Sequence, residues 1–254
     1  MVVVTTIRKV NDDLVMRAQK IAAFLNTKYV PRRKEGISKI KERYNADAAL
    51  IVKNNQLILD LPEGEMFFHP NMAQVRIKRL RYGGNDNMLD AMQVEKGMKI
   101  LDCTLGFAAD AIVSSYGVGE SGKVVGLEIN PLISLVVREG LKTYLPTNYD
   151  LKSAMNNIEV INQDYLSYLK AQPDNSFDIV YFDPMFRHAL MDSKNLSPLR
   201  QLADNRPVSL EAIKQAKRVA KYRVVFKKTA VVWNFPVWDL KKSAAVNMLQ
   251  FITV

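Results

Sequence analysis

From Met98 onward, short apolar runs alternate with helix-patterned segments, and this alternation constrains the fold more than any other feature of the 254-residue chain. The order is MKILDC, a helix from about Phe107, KVVGLEI, the helical PLISLVVREGLKTYL, IEVI, FDIVYF, a long polar stretch, the helical SLEAIKQAKRVA and the strand-like YRVVFKK. Strand and helix in alternation predict parallel strands joined by crossover helices, and strands apolar on both faces predict a covered sheet. The expected fold class is therefore α/β, a doubly wound Rossmann-like sheet. The last 26 residues, TAVVWNFPVWDLKKSAAVNMLQFITV, have room for a closing hairpin, although Pro236 interrupts the pattern.

Residues 1–97 read differently and predict a smaller N-terminal α+β domain, with 98–254 forming the sheet domain. VVVTTIRKV suits a strand, DLVMRAQKIAAFL has apolar residues at helical spacing, and ALIVKNNQLILDL suits a hairpin turning at Asn54 and Asn55. The chain carries 36 basic against 26 acidic residues, a net charge of +10, and 17 of the basic residues against 11 acidic ones fall in the first 97. This excess favours an acidic partner such as RNA. Arg32, Arg33, Lys34, Lys39, Lys41 and Arg43, then Arg76, Lys78, Arg79 and Arg81, form clusters that read either as solvated helix faces or as a surface tracking phosphates.

Composition also excludes several classes. A single cysteine rules out an intramolecular disulfide framework, and two histidines make a structural metal unexpected. No stretch approaches the roughly 18 apolar residues of a membrane span, and the opening MVVVTTIRKV is too short for a signal segment. A cytoplasmic protein is expected.

Ligands of open α/β sheets sit beyond the carboxyl ends of the strands. Four successive strand ends carry an acid: Asp102, Glu128, Asp164 and Asp183. Glu128 follows Asp102 by about the interval at which nucleoside-binding domains place an acid for ribose hydroxyls. The intervening turn, Thr104-Leu105-Gly106-Phe107, has one glycine where a dinucleotide cradle needs three, and Gly106 lets backbone approach a ligand closely. A nucleoside lacking pyrophosphate is thus expected, and S-adenosylmethionine (SAM) fits, with Asp110 available to its amino-acid tail. Asp183-Pro184-Met185-Phe186 follows FDIVYF directly. A carboxylate at Asp183 and the Pro184 carbonyl can each accept from a planar exocyclic amine while Phe186 stacks on its base. A substrate amine is the expected partner of Asp183.

DPMF resembles the Asp/Asn-Pro-Pro-Tyr/Phe motif of amino-group methyltransferases, and VYFDPMFRH is similar to the bacterial small-subunit ribosomal RNA (guanine-N2) methyltransferase family. FHPNMAQVR, Gly83-Gly84, ILDCTLGFAADA, EINPLISLVVREGL and RVAKYRVVFKK match that family in order, over about residues 67 to 229. The resemblance implies a class I methyltransferase domain with a seven-stranded sheet, and cofactor contacts at Ala109, Asp110, Glu128, Ile129, Asp164, Tyr165 and Asp183. Two departures stand out: Ala109 precedes Asp110 where the family usually has arginine, and Arg187 precedes His188 where it usually has proline.

Arg187, His188, Lys227 and Lys228 are further candidates for RNA contact, whereas Cys103 reads as a packing residue. The leading expectation is a SAM-dependent N-methyltransferase acting on guanine N2 of ribosomal RNA, with the small ribosomal subunit as partner. Adenine-N6 methylation of DNA or RNA is the enzymatic alternative, and a non-catalytic RNA-binding or ribosome-assembly protein is the alternative of another class.

Overall fold

A computed structural model describes residues 1–146, 148–184, 202–229, 241–246 and 249–253, with backbone alone for 228–229, 241–246 and 249–252. Packing divides the chain into two compact units, one gathering Met1–His69 and Pro131–Tyr144, the other Pro70–Asn130 and most of the described residues after Tyr144.

The first unit contains β1 (Val2–Thr6), α1 (Asp12–Phe24), β2 (Lys28–Tyr29), α2 (Ile37–Tyr44), β3 (Ala48–Val52), β4 (Leu57–Leu61) and β5 (Gly64–Phe67). Its sheet has the order β2-β1-β3-β4-β5, parallel around β1 and antiparallel from β3 onward. Leu14, Ala18, Ile21 and Ala22 recur at helical spacing and form the buried stripe of α1, which begins where the Asn11 side chain accepts the Leu14 N–H at 2.9 Å. The expected hairpin is β3 and β4, closed by Lys53 N–H donating to the Gln56 carbonyl at 2.9 Å. A later helix, α6 (Pro131–Thr143), belongs to this unit and packs on β4 and β5. Gly140 permits that approach, because a Cβ there would lie 2.2 Å from Phe68 Cγ.

The second unit holds α3 (Asn71–Arg81), α4 (Asn87–Met92), β6 (Lys99–Asp102), α5 (Ala109–Val118), β7 (Lys123–Leu127), α7 (Tyr149–Asn156), β8 (Ile158–Ile161), α8 (Tyr165–Ala171), β9 (Phe177–Phe182), α9 (Leu210–Val219), β10 (Ala220–Thr229), β11 (Lys241–Val246) and β12 (Leu249–Thr253). Its seven strands run β11-β12-β10-β9-β6-β7-β8, parallel from β10 to β8, with β12 antiparallel to β10 and paired to β11 as a hairpin. The chain steps outward from β6 through β7 to β8 and then returns to the other flank of β6 as β9. The β6/β9 junction is therefore the topological switch point, where doubly wound sheets open a crevice.

Leu101, Val125, Val180, Phe182, Val224 and Phe226 form the sheet's contribution to one core, to which α8 and α9 add Leu169, Ala212, Ala216 and Val219. Fully burying a side chain such as Phe182 stabilises by about 1.5–3 kcal/mol. Cys103 lies in this core at 3% exposure, and burial pushes its thiol up. The packing division falls after His69, whereas the expected one falls after residue 97; the reason is that α3 and α4 pack with the sheet domain through Arg76, described below. No helix among the described residues is long and apolar enough to cross a membrane.

Candidate active site

The strand order sets the four acids side by side along one carboxyl edge: Asp183 after β9, Asp102 ending β6, Glu128 after β7 and Asp164 after β8. Register fixes this arrangement, since Asp102 lies opposite Tyr181 in the β6/β9 pair and Gly126 opposite Asp102 in the β6/β7 pair. The tips are tied laterally. Asp183 N–H donates to Thr104 Oγ1 at 2.6 Å, and Thr104 N–H donates to Asp102 Oδ1 at 3.0 Å. Glu128 accepts from Gly106 N–H at 3.2 Å and from Asn130 N–H at 2.8 Å, while the Asn162 amide holds the Glu128 and Ile129 carbonyls at 2.7 and 3.0 Å.

The turn into α5 is unusual. Gly106 (φ 49°) and Ala108 (φ 61°) both occupy the left-handed region, the second without a glycine's freedom and fully buried. A non-glycine residue held there costs about 1–3 kcal/mol and persists where the surroundings fix it, often at functional sites. Ala109 and Asp110 open α5 from this turn, and the described part of the turn carries neither a second glycine nor a cradle for pyrophosphate.

The acids divide into two electrostatic settings. Asp110 accepts from Tyr181 Oη at 2.8 Å and Lys227 Nζ at 2.9 Å on one oxygen, and from Arg76 on the other. Lys227 Nζ also meets Asp183 Oδ2 at 2.8 Å, and Arg76 grips both Asp86 oxygens at 2.7 and 2.8 Å. Burial alone would raise Asp110, but Lys227 and Arg76 outweigh it and hold the carboxyl below its usual range. Burial likewise would raise Asp86, and Arg76 brings it below. The nearby carboxylates raise Lys227 and Arg76 in turn, against burial.

Asp102 and Glu128 receive only neutral donors. Asp102 is 2% exposed, is in no ion pair among the described residues, and is pushed by burial up to about 8, with Asp110 and Asp183 adding to the rise. Burial also raises Glu128. Asp183 is raised by burial and by Asp110 while Lys227 pulls it down, and its side chain keeps 34% of its surface against 12% for Asp110. It is the most exposed of the ion-paired carboxyls Asp86, Asp110 and Asp183.

Two placements bear on these expectations. Within the protein Asp183 already meets the Lys227 ammonium through Oδ2, so a substrate amine would be a second partner of this carboxylate. Arg76 is engaged by Asp86 and Asp110 within the fold, so its guanidinium is not presented to phosphates. Lys227, offered above as an RNA contact, is likewise committed to carboxylates, because its strand places it in register with Asp183.

The remaining predicted residues are spread more widely. Pro184 is buried next to Asp183, and Phe186, Arg187 and His188 lie outside the described residues. Asp164 caps α8 by accepting from Ser167 N–H at 2.9 Å and meets Arg206 at 2.8 Å, while Tyr165 sets its ring edge-on to Phe182 at 5.6 Å. Ile129 is 38% exposed beside Glu128. Arg79 is exposed on α3. Arg32, Arg33 and Lys34 belong to the first unit: Arg33 (φ 47°) and Lys34 are exposed, and partial burial and Arg8 lower Arg32. Tyr181, Asp86, Arg206 and Asn162 were not signalled by the sequence, since each acts through a neighbour distant in the chain. Among the described residues no group of three or more His, Cys, Asp or Glu side chains is placed to hold a metal ion.

Comparisons with known proteins agree with this architecture. YpiP of Bacillus subtilis, named an uncharacterized protein, is 37% identical over 224 residues, covering 88% of this chain and 87% of its own. A protein of Legionella pneumophila named ribosomal RNA small subunit methyltransferase J is 27% identical, covering 85% of this chain and 83% of its own. A crystal structure of the SAM-dependent methyltransferase NGO1261 from Neisseria gonorrhoeae superposes with a TM-score of 0.65 at 16% identity, covering all of this chain and 95% of that one, and supports the fold. The profile of the family SAM_MT, described as "Putative SAM-dependent methyltransferase", matches residues 35–238. That match spans both the acid-lined edge and its flanking helices, and the chain belongs to the SAM-dependent methyltransferase family.

Proposed function

We propose that this SAM-dependent methyltransferase modifies an exocyclic amine of an RNA base, guanine N2 of small-subunit ribosomal RNA being the favoured target. The observation that carries the reading is the part-exposed carboxylate of Asp183 at the switch point, its backbone N–H held by Thr104, its Oδ2 met by Lys227, and Pro184 following it. The name borne by the Legionella relative supports ribosomal RNA as the substrate class.

The residues at this edge fit SAM. Asp86, Asp102, Asp110 and Asp183 are four carboxyls against the two cations Arg76 and Lys227, an acid excess suited to a positively charged ligand. When bound, SAM supplies an electrophilic methyl group on a sulfonium. Glu128, whose oxygens each take one backbone N–H, keeps acceptor sites for ribose hydroxyls. Asp110 already takes three donors, so it anchors the cluster, and Asp102 is left to face the ligand's ammonium. Ile129, Asp164 and Tyr165 would hold the adenine end, and Thr104, Gly106 and Ala109 would supply backbone toward the tail. Asp183 and the Pro184 carbonyl orient the substrate NH2, and Asp183 stabilises the positive charge that develops on nitrogen and takes its proton. Arg32, Arg33, Lys34 and Arg79, with Arg187 and His188, track the RNA backbone.

The purified protein is to be incubated with labelled SAM and unmodified small-subunit particles, and the RNA digested to nucleosides. N2-methylguanosine is expected. N6-methyladenosine would move the target to adenine, and label confined to protein, or no transfer at all, would overturn the reading.

A further inference from the structure

Lys227 has a placement that the strand register dictates. In the parallel β9/β10 pair, Val225 lies opposite Tyr181 and Phe226 opposite Phe182, and the Phe182 and Phe226 rings stack at 4.8 Å and 6°. One residue further on, Lys227 stands beside Asp183. Its Nζ divides two donors between Asp183 Oδ2 at 2.8 Å and Asp110 Oδ2 at 2.9 Å, and its side chain is 22% exposed. Asp110 is held independently by Arg76 and Tyr181.

We propose that Lys227 is a positioning residue for methyl transfer: it keeps Asp183 ionised beside Asp110 and turns it so that its free acceptor capacity faces the substrate amine. The inference rests on the reading of Asp183 given above. Two neighbouring carboxyls ordinarily share one proton, because their charges repel at close range. An ammonium between them lets both ionise. The chemistry then needs an acceptor that is charged more than one that is strongly basic. As the amine's lone pair forms the new C–N bond, the methyl–sulfur bond breaks, its electron pair stays on sulfur, and the nitrogen becomes acidic enough to pass a proton to Asp183. A protonated Asp183 at the outset could neither accept that proton nor stabilise the charge.

The groups facing Asp183 decide what removal of Lys227 does. Among the described residues they are Asp110 from α5, Arg76 from α3, Asp102 from β6, Tyr181 from β9 and Lys227 from β10. Without Lys227, Asp110 still has Arg76, so the shared proton settles on Asp183 and its titration moves upward. An opposite charge at this range is worth about 1–3 pH units.

The experiment compares Lys227→Met, which fills the volume, with Lys227→Arg, which keeps the charge, each confirmed folded by circular dichroism. In the substrate-free protein labelled with carboxyl-13C aspartate, with the Asp183 signal assigned by its loss in Asp183→Asn, Lys227→Met is expected to raise the Asp183 midpoint by about one unit or more. Lys227→Arg should titrate close to the parent. In turnover, the acid limb of the pH profile of kcat/KM should shift upward by the same amount in Lys227→Met, with activity returning at higher pH. An Asp183 midpoint and acid limb unmoved in Lys227→Met, while Asp183→Asn abolishes turnover, would overturn the inference and leave the reading of Asp183 intact. Turnover retained by Asp183→Asn would overturn that reading instead, and the carboxyl titration would still decide whether Lys227 sets the charge of Asp183.

Discussion

Two neighbouring stretches of one sheet edge solve the same problem differently. At the β9/β10 end, Asp183 and Asp110 meet the buried cations Lys227 and Arg76, while at the β6/β7 end Asp102 and Glu128 meet only backbone N–H groups. The first pairing holds charge in the empty protein and places it accurately. The second leaves acids whose ionisation burial opposes, and only an incoming cation or hydroxyl donor relieves that opposition. Under the proposed function, the paired end serves the reaction and the unpaired end cofactor capture. Both follow from where apolar strands stop.

The sharpest way to break the comparison is at Asp183. Replacing it with Asn keeps the shape and removes the charge, and turnover should fall by about 10³-fold or more, in the range seen when a preorganised electrostatic group is lost, with SAM affinity changing far less. Single-turnover transfer and equilibrium SAM binding separate the two quantities; an equal loss in both would move Asp183 to the cofactor side of the edge. Next in size is Arg76→Met, which strands Asp86 and Asp110 without their guanidinium. Breaking a buried pair from one side costs about 3–5 kcal/mol, measurable by denaturant unfolding. Both acids are held below their unfolded value, so the stability they contribute is present above pH 4 and lost as pH falls through their folded values. The variant's deficit should therefore shrink on acidification. Asp102 has the opposite sign, since its folded pKa of about 8 lies above the unfolded value. Its contribution is intact below pH 4 and is lost as pH rises toward 8. Asp102→Asn should thus gain about 3 kcal/mol on the parent between pH 5 and pH 7 in unfolding experiments, while SAM binding weakens. A flat difference across that range would mean that Asp102 is ionised in the empty protein.

Much of this was legible in the residues. IVYF ending at Asp183 and KILD ending at Asp102 are apolar on both faces because the sheet is covered on both sides, so strand ends and their acids could be found without a structure. What the sequence could not supply was lateral register. Lys227 and Asp183 are 44 positions apart, and YRVVFKK does not say which of its two lysines falls beside the carboxylate. Asp86 was equally hidden, because a helix-capping aspartate looks the same whether or not an arginine ten residues upstream folds back on it. In the first unit, β2 has two residues and β5 begins at Gly64 with two exposed positions, too little pattern for periodicity to register. Charge clusters are opaque for a related reason: Arg76 and Arg79 are equivalent as letters, yet one faces Asp86 and the other solvent.

The smallest expected effect tests the exposed basic residues against the buried ones. Arg33 and Lys34 are exposed and Arg32 is partly so, which suits contacts screened by salt, whereas Lys227 and Arg76 are committed to carboxylates. Reversing Arg32, Arg33 and Lys34 to Glu should weaken RNA binding about tenfold at moderate salt and flatten its salt dependence, since fewer counterions are released per complex. SAM affinity should be unchanged. Binding to unmodified small-subunit RNA across a salt series measures both quantities. Parallel salt slopes for mutant and parent would show that these three residues form a solvated surface, and would leave Arg79 and Arg81, both exposed on α3, to be tried next.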